Sequence, residues 1–289
     1  MTPVQTAFLQ CQRMVRAADE NRFWASAFAP AAARPHLFAL YAFNHEIAKT
    51  AETVSQPLLG HIRLQWWRDV LGGAGRGDVS AHPVAAALRE TVVRYRLPPK
   101  MLEDLIDART FDLYDDPMAT LADLQLYAVR TSAALVAMSA RILSDGKDVA
   151  GDIAGHTGIA YSIAGLLRAF PIHAARHQLY VPADVLERHH ARSEDIFAGH
   201  VTPELRAALA ELRLHVRQHL DAAQKLAPDA PSAIAPALLP ATLVRPALDR
   251  MEKRAYQPFK PSEIPQWRRQ WTLWRARSEE HTSELQSQS

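Results

Sequence analysis

Residues 156–182 have the sequence HTGIAYSIAGLLRAFPIHAARHQLYVP, which indicates the architecture of the chain more directly than any other segment. From Gly158 to Phe170 the pattern is helical, and its small residues let another helix or a long ligand approach the backbone closely. We therefore predict a helix that forms the wall of a cavity. Pro171 is expected to end it, because proline has no N–H to donate and its ring clashes with the preceding turn.

Most of the remaining chain also has helical periodicity, and signals for strands are almost absent. The chain has 289 residues, 48% of them hydrophobic, so it can bury a large core, and no repeat or linker divides it. The prediction is an all-α fold, a single-domain bundle of ten or more helices around a central cavity. Helices are expected at residues 3–18, 57–71, 81–96, 98–113, 118–143, 148–168 and 202–227, with a loop or broken helix at 228–240.

Composition excludes several classes of protein. Cys11 is the only cysteine, so no disulfide framework exists and a reducing compartment is expected. The 33 basic residues nearly balance the 31 acidic ones, which leaves no basic field for nucleic acid. We find neither a secretory signal nor a run of apolar residues long enough to span a membrane, so a cytoplasmic protein is expected.

The C-terminal tail is predicted not to be native. Residues 277–287, RSEEHTSELQS, resemble the translation of a common sequencing adapter. The domain is therefore expected to comprise residues 1–276, and residues 277–289 are excluded from it.

The segments GIAYSIAGLLRA and RHQLYVP resemble the second signature of the squalene/phytoene synthase family. Leu167, Arg168 and Tyr180 fall on the family pattern. The two aspartates of that pattern are replaced by Ala169 and His173.

The first signature of the family has a similar counterpart in ALYAFNHEIAKTAE, residues 39–52. Tyr41 and Phe43 match, but Ala48, Lys49 and Glu52 stand where the family has aspartates. Further matches at LQWWRDVL, EDLIDARTFDL and DLQLYAVRTSAAL extend the resemblance over about residues 7–250.

The resemblance implies the isoprenoid synthase fold, in which aspartates on two facing helices hold magnesium against a prenyl diphosphate. A single glutamate cannot build that cluster, so we assign no catalytic residue and expect no cofactor. Lys49 and Arg168 offer positive charge to an anionic group, although a solvated lysine and an arginine at helix-end carbonyls explain them equally well. The candidate residues of the cavity wall are Tyr41, Phe43, Gly158, Ser162, Gly165 and Tyr180.

Two short motifs resemble the non-enzymatic branch of the family, which includes a mitochondrial assembly factor of respiratory complex I. They are Ala-Phe-Asn-x-Glu at residues 42–46 and Leu-Arg-Ala-x-Pro-x-His at residues 167–173. The resemblance implies a bacterial accessory protein whose partner is a complex I subunit or assembly intermediate. It further implies a vestigial cavity with an isoprenoid or other lipid, and a location at the inner face of the cytoplasmic membrane.

An active enzyme is the alternative. It would be a prenyl transferase that joins two prenyl diphosphates head to head, with magnesium held by substitute acids. The candidates for these acids are Glu46, Glu52, Asp107 and Asp112.

Three other features complete the prediction. Glu211, His215 and His219 share one helix stripe, but no distant ligand accompanies them and a metal site is not favoured. Residues 263–276 are basic and aromatic, as expected of a segment that touches a membrane surface or a partner. Core and C-terminal packing is expected for the tryptophans Trp66, Trp67, Trp267, Trp271 and Trp274.

Overall fold

The computed structural model describes residues 2–75, 81–261 and 264–287, with only the backbone for residue 277 and residues 279–287. All regular elements in these ranges are helical, and they form one bundle around a central cavity, as predicted. The first nine helices are α1 (Pro3–Ala18), α2 (Glu20–Ser26), α3 (Arg34–Ala48), α4 (Thr50–Thr53), α5 (Pro57–Leu71), α6 (Pro83–Tyr95), α7 (Pro99–Ala108), α8 (Leu121–Ala128) and α9 (Ala134–Leu143). They are followed by α10 (Gly151–Ala175), α11 (Ala183–Arg188), α12 (Ser193–Phe197), α13 (Pro203–Leu226), α14 (Ala235–Leu238), α15 (Val244–Met251) and α16 (Gln266–Ser287).

Helix α3 is the centre of the N-terminal part of the bundle. Its seven consecutive residues from Leu37 to Phe43 are at most 6% exposed, as expected of a helix that is hydrophobic on all sides. Helices α1 and α6 cover it, and the ring of Phe43 packs edge-on against Trp67 with centroids 5.0 Å apart. This packing fixes the C-terminal end of α3, where the first signature lies.

The structure differs from the predicted helix at 118–143 in its starting residue and in an interruption along its length. Its cap is Thr120, whose hydroxyl accepts from the N–H of Asp123 in a capping box, and not Asp116 as the Asp-Pro sequence indicates. A π-helical segment, Val129–Ala133, separates α8 from α9. Within the described residues, Leu121–Leu143 is the one helical stretch apolar and long enough to cross a membrane, but 67% of its apolar window is buried in the protein.

The π-helical segment packs tightly against α10. A Cβ added at Gly158 would lie 2.2 Å from the Cα of Ala133, so only glycine permits this approach of the two backbones. The small residues of the 156–182 stretch therefore serve helix packing at this point.

Helix α10 is longer than predicted, because it continues through Pro171 to Ala175. The prediction that this proline ends the helix is wrong. A proline in a helix removes one backbone hydrogen bond, and here the burial of Leu167, Phe170 and Ala174 on the same helix offsets that loss. His173 consequently lies on the last turn of a regular helix.

The C-terminal region closes the bundle. Helix α13 lies along α10, and residues 227–243 form short 3-10 turns and α14, as the broken-helix prediction anticipated. Helix α16 buries Leu273, which is 1% exposed, against the turn at Leu239–Leu243 and α2. Residues 277–287 of the predicted non-native tail form the end of α16, and residues 288–289 lie outside the described part of the chain.

Candidate functional site

The two degenerate signatures meet at a cavity of about 420 Å³, here called the first cavity. Ala48 and Glu52 reach it from the ends of α3 and α4, and His173 reaches it from the last turn of α10. Tyr180, in the extended segment after α10, completes this side. The topology therefore brings together Ala48, Glu52 and His173, three of the positions at which the family carries aspartates.

The rest of the second signature lies elsewhere. Arg168 and Ala169 line a second cavity of about 490 Å³, between α2, α10 and the chain that leads into α16. Arg22 of α2, 8% exposed, also lines the second cavity, and its guanidinium stacks on the rings of Tyr41 and Tyr161. Lys49 is exposed and lines neither of these two cavities, so Lys49 and Arg168 do not form a joint anion site.

A buried polar network forms one wall of the first cavity. Asp112 is 7% exposed, and its carboxylate accepts hydrogen bonds from the hydroxyls of Tyr127 (2.9 Å) and Tyr180 (2.7 Å). Arg109 donates to the same carboxylate at 3.2 Å and to the Tyr127 hydroxyl at 2.6 Å. Its other terminal nitrogen donates to Asn44 at 3.3 Å, which ties this network to α3.

The electrostatics of this network fix its protonation state. Burial, reinforced by the negative charge of Asp112, raises the pKa values of Tyr127 and Tyr180, so both hydroxyls remain protonated donors. Burial disfavours the charge of Arg109, but Tyr127 and Asp112 outweigh it and raise the pKa of the guanidinium. Burial lowers the pKa of His173, so its imidazole is neutral near pH 7.

Each of the candidate substitute acids at Glu52, Asp107 and Asp112 is paired with an arginine. Glu52 accepts from Arg176 at 3.0 Å, and Asp112 from Arg109 as described. Asp107 accepts from Arg68 at 2.6 Å and does not line the first cavity. These three acids do not come together as one group.

The donor set of the first cavity does not fit the family's magnesium cluster. Magnesium takes a near-octahedral shell of oxygen ligands, usually carboxylates, phosphates and water. Glu52 and Asp112 are the carboxylates that line the cavity, and each is neutralised by its arginine, while His173 supplies nitrogen. In the part of the chain that is described, no three metal-binding side chains lie close enough to share an ion.

The remaining predicted wall residues have different surroundings. Phe43 is fully buried in the core, and Tyr41 accepts a hydrogen bond from Ser139 at 2.9 Å. Nothing lies within 4 Å of a Cβ added at Gly165, which therefore borders open space, and Ser162 on the same helix is half-buried. Of the six candidates, Tyr180 is the one that lines the first cavity directly.

Sequence reasoning missed Arg109, Tyr127 and Arg176. Arg109 and Asp112 are three residues apart in EDLIDARTFDL, and this spacing was the available signal for an ion pair. Tyr127 lies in DLQLYAVRTSAAL, a segment recognised only for its likeness to the family.

A separate histidine cluster connects α10 with α13, away from the residues of the first cavity. The Nδ1 atoms of His156 and His219 are 2.9 Å apart, and the rings of His215 and His219 have centroids 4.8 Å apart. Burial, together with the two neighbouring histidines, lowers the pKa of His219 to about 4. Glu211, predicted to share this stripe, is hydrogen-bonded to His189 at 2.6 Å.

Comparison with known sequences gives one family and several relatives. The family model for squalene/phytoene synthase matches residues 15–275. The rat protein named NADH dehydrogenase (ubiquinone) complex I, assembly factor 6, is 28% identical over 260 residues, covering 90% of this chain and 78% of the rat protein. Phytoene synthase 1, chloroplastic, from Arabidopsis thaliana is 29% identical over 236 residues, covering 78% of this chain and 55% of the plant protein.

Solved structures share the fold. A dehydrosqualene synthase crystallised with a ligand superimposes with a TM-score of 0.82 at 17% identity, covering 99% of this chain and all of that one. Squalene synthase HpnC from Alicyclobacillus acidocaldarius gives a TM-score of 0.75 at 22% identity, covering 90% of this chain and 97% of that one. At these identities the comparison identifies the isoprenoid synthase fold alone.

Proposed function

Because the chain belongs to the squalene/phytoene synthase family but has a first cavity that does not fit the family's metal cluster, we propose that it is a non-catalytic member. Its proposed role is that of an accessory factor in the assembly of respiratory complex I. The proposed partner is a complex I subunit or an assembly intermediate, met at the inner face of the cytoplasmic membrane.

The proposal that the protein is non-catalytic rests on one observation, the pairing of the carboxylates of the first cavity with arginines. Departure of diphosphate from a prenyl chain leaves a carbocation, and magnesium makes this possible by neutralising the leaving group. Here Glu52 and Asp112 are paired with Arg176 and Arg109, so a metal ion would have to displace both arginines. Breaking the buried Arg109–Asp112 pair would in addition leave a charge without its partner.

The named relatives support the assembly half. Proteins called complex I assembly factor 6 match this chain over most of its length, and they include the human and rat proteins. The motifs at residues 42–46 and 167–173 are the same ones in which the chain departs from the enzyme signatures. These names and motifs support the assembly role whatever the ionic state of the first cavity.

We also propose a class of ligand for the first cavity. Hydrophobic residues and small alanines line part of the first cavity, namely Ala48, Ala51 and Leu166, beside its polar wall. This mixture suits a ligand with an apolar chain and a polar end, so an isoprenoid or another lipid is the proposed class.

Catalysis is tested with purified protein, farnesyl or geranylgeranyl diphosphate and magnesium. Diphosphate release is the measurement, and a squalene synthase of the same fold is the positive control. We expect release at the level of the protein-free background. Release above that level would show a working prenyl transferase and overturn the non-catalytic assignment.

The assembly role is tested by deleting the gene and measuring NADH:quinone activity and the amount of assembled complex I in membranes. Both are expected to fall and to return when the wild-type chain is supplied. Unchanged complex I in the deletion strain would remove the assembly role, whatever the outcome of the enzymatic assay.

A further inference from the structure

Three tryptophans form an exposed stripe on α16. Trp267, Trp271 and Trp274 are spaced by four and three residues, which places them on one face of the helix. They are 64%, 58% and 53% exposed, and the rings of the last two are in contact at a tilt of 34°, with centroids 5.2 Å apart. The expectation that these tryptophans pack at the C-terminus is therefore wrong, because Leu273 provides the buried contact of α16.

Up to residue 276 the charges of this helix are all of one sign, whereas Glu279, Glu280 and Glu284 lie in its second half, the part that the sequence predicts to be non-native. Residues 264–276 contain three arginines and neither aspartate nor glutamate. Arg269 is paired with Glu20 at 2.8 Å, Arg268 is exposed, and the Arg268 guanidinium lies 5.0 Å from the ring centre of Trp267. An exposed aromatic stripe is thus accompanied by positive charge.

The second cavity adjoins this helix. Arg269 of α16 and Ile264 before it line the cavity, together with Arg168 and Ile172 of α10. Ile172 is 53% exposed, and Arg168 forms no ion pair with any described residue. Apolar and cationic groups from both helices thus line the second cavity, together with the acids Asp19 and Glu20.

We propose that the first half of α16, residues 266–276, binds membranes and that its Trp267, Trp271 and Trp274 stripe inserts into the headgroup region of an anionic lipid bilayer. Indole rings prefer this region, because it accepts both their apolar body and their N–H group. Arg268 then lies where lipid phosphates are, and charge complementarity favours an anionic surface. This inference adds a lipid-binding face to the proposed function, and it stands or fails separately from it.

The test uses the full chain and vesicles of two compositions. One contains phosphatidylcholine alone, and the other contains two parts phosphatidylcholine to one part phosphatidylglycerol. Sedimentation with vesicles gives the partition coefficient, and the shift in tryptophan emission shows whether indoles enter the bilayer. We expect binding to the anionic vesicles, a shift of the emission to shorter wavelength, and weaker binding at high salt.

Two variants and one control identify the face. Combined Trp267→Ala, Trp271→Ala and Trp274→Ala is expected to lower the partition coefficient more than about tenfold. Arg268→Gln is expected to lower it about fivefold on anionic vesicles only. The matched control replaces three exposed apolar residues of α5, by Leu58→Ala, Leu59→Ala and Ile62→Ala, and is expected to bind like the wild type.

The changed side chains are exposed, so circular dichroism and the melting temperature should match the wild type for all variants. The proposal is overturned if the wild type does not bind anionic vesicles, or if the tryptophan variant and the α5 control bind equally. If the protein does not bind vesicles but complex I assembly still requires it, the membrane-binding helix is rejected and the proposed function stands.

Discussion

Asp112 is the acid on which the polar wall of the first cavity depends. It pairs with Arg109 and accepts from two tyrosine hydroxyls, all within a largely buried site. Asp112→Asn removes the charge but keeps the shape, and leaves the Arg109 guanidinium without its counterion. We expect a loss of about 2–4 kcal/mol in the free energy of unfolding, measured by urea denaturation.

Asp107→Asn is the matched control for this change. Asp107 is also paired with an arginine, Arg68, but its side chain is 48% exposed against 8% for Asp112. An exposed ion pair contributes little, so the control is expected to cost less than about 1 kcal/mol. Equal costs for the two substitutions would contradict the role assigned to Asp112.

At the scale of single elements, the close approach of α10 to the π-helical segment rests on Gly158. Gly158→Ala introduces a Cβ at 2.2 Å from a backbone atom of Ala133, which cannot move as a flexible side chain can. We expect the free energy of unfolding to fall by about 1–3 kcal/mol. Gly155→Ala on the same helix meets no atom within 4 Å and is expected to stabilise by about 0.5–1 kcal/mol. A similar effect of both substitutions would refute the packing argument.

The contact between α10 and α13 is expected to make the free energy of unfolding depend on pH. Burial and the neighbouring His156 and His215 lower the folded-state pKa of His219 to about 4, against about 6.5 in the unfolded chain. The unfolded chain therefore binds more protons in this range, and stability present above pH 6.5 is lost as the pH falls towards 4. After allowance for partial exposure, His219 contributes roughly 1–2 kcal/mol to this loss.

Urea denaturation at pH 7 and pH 5 checks this expectation. His219→Gln should flatten the decline in stability between the two values, because the variant has one proton fewer to bind on unfolding. His200→Gln, at a ring whose side chain is 66% exposed, should leave the decline as in the wild type. If the free energy of unfolding of the His219 variant fell by as much as that of the wild type between pH 7 and pH 5, His219 would not be the source of the pH dependence.

For the whole molecule, the sequence predicts the elements better than their contacts. The bounds of α1 and α5 follow directly from periodicity and capping, and the family motifs give the fold. Local rules fail at Pro171, where burial outweighs the loss of one hydrogen bond. Local rules also do not predict the partners of Asp112. Tyr127 and Tyr180 are 15 and 68 residues away from it in sequence, and only tertiary packing brings them together. The exposure of Trp271 could not be predicted from the sequence either, since helical spacing does not show which face of the helix is covered.

The proposed loss of metal binding concerns the whole molecule, because the residues that would hold the ion come from separate segments that meet at one cavity. The combined Ala48→Asp and His173→Asp changes add two carboxylates beside Glu52, and at neutral pH their mutual repulsion favours a divalent cation. We expect magnesium to stabilise this variant by about 1.4 kcal/mol at about ten times its dissociation constant. The wild type should show no difference between magnesium chloride and sodium chloride of the same ionic strength, measured by urea denaturation. Equal stabilisation of the two proteins by magnesium would mean that the wild-type chain assembles a metal site in spite of its arginine-paired acids. An active prenyl transferase would then be a better assignment than a non-catalytic accessory factor.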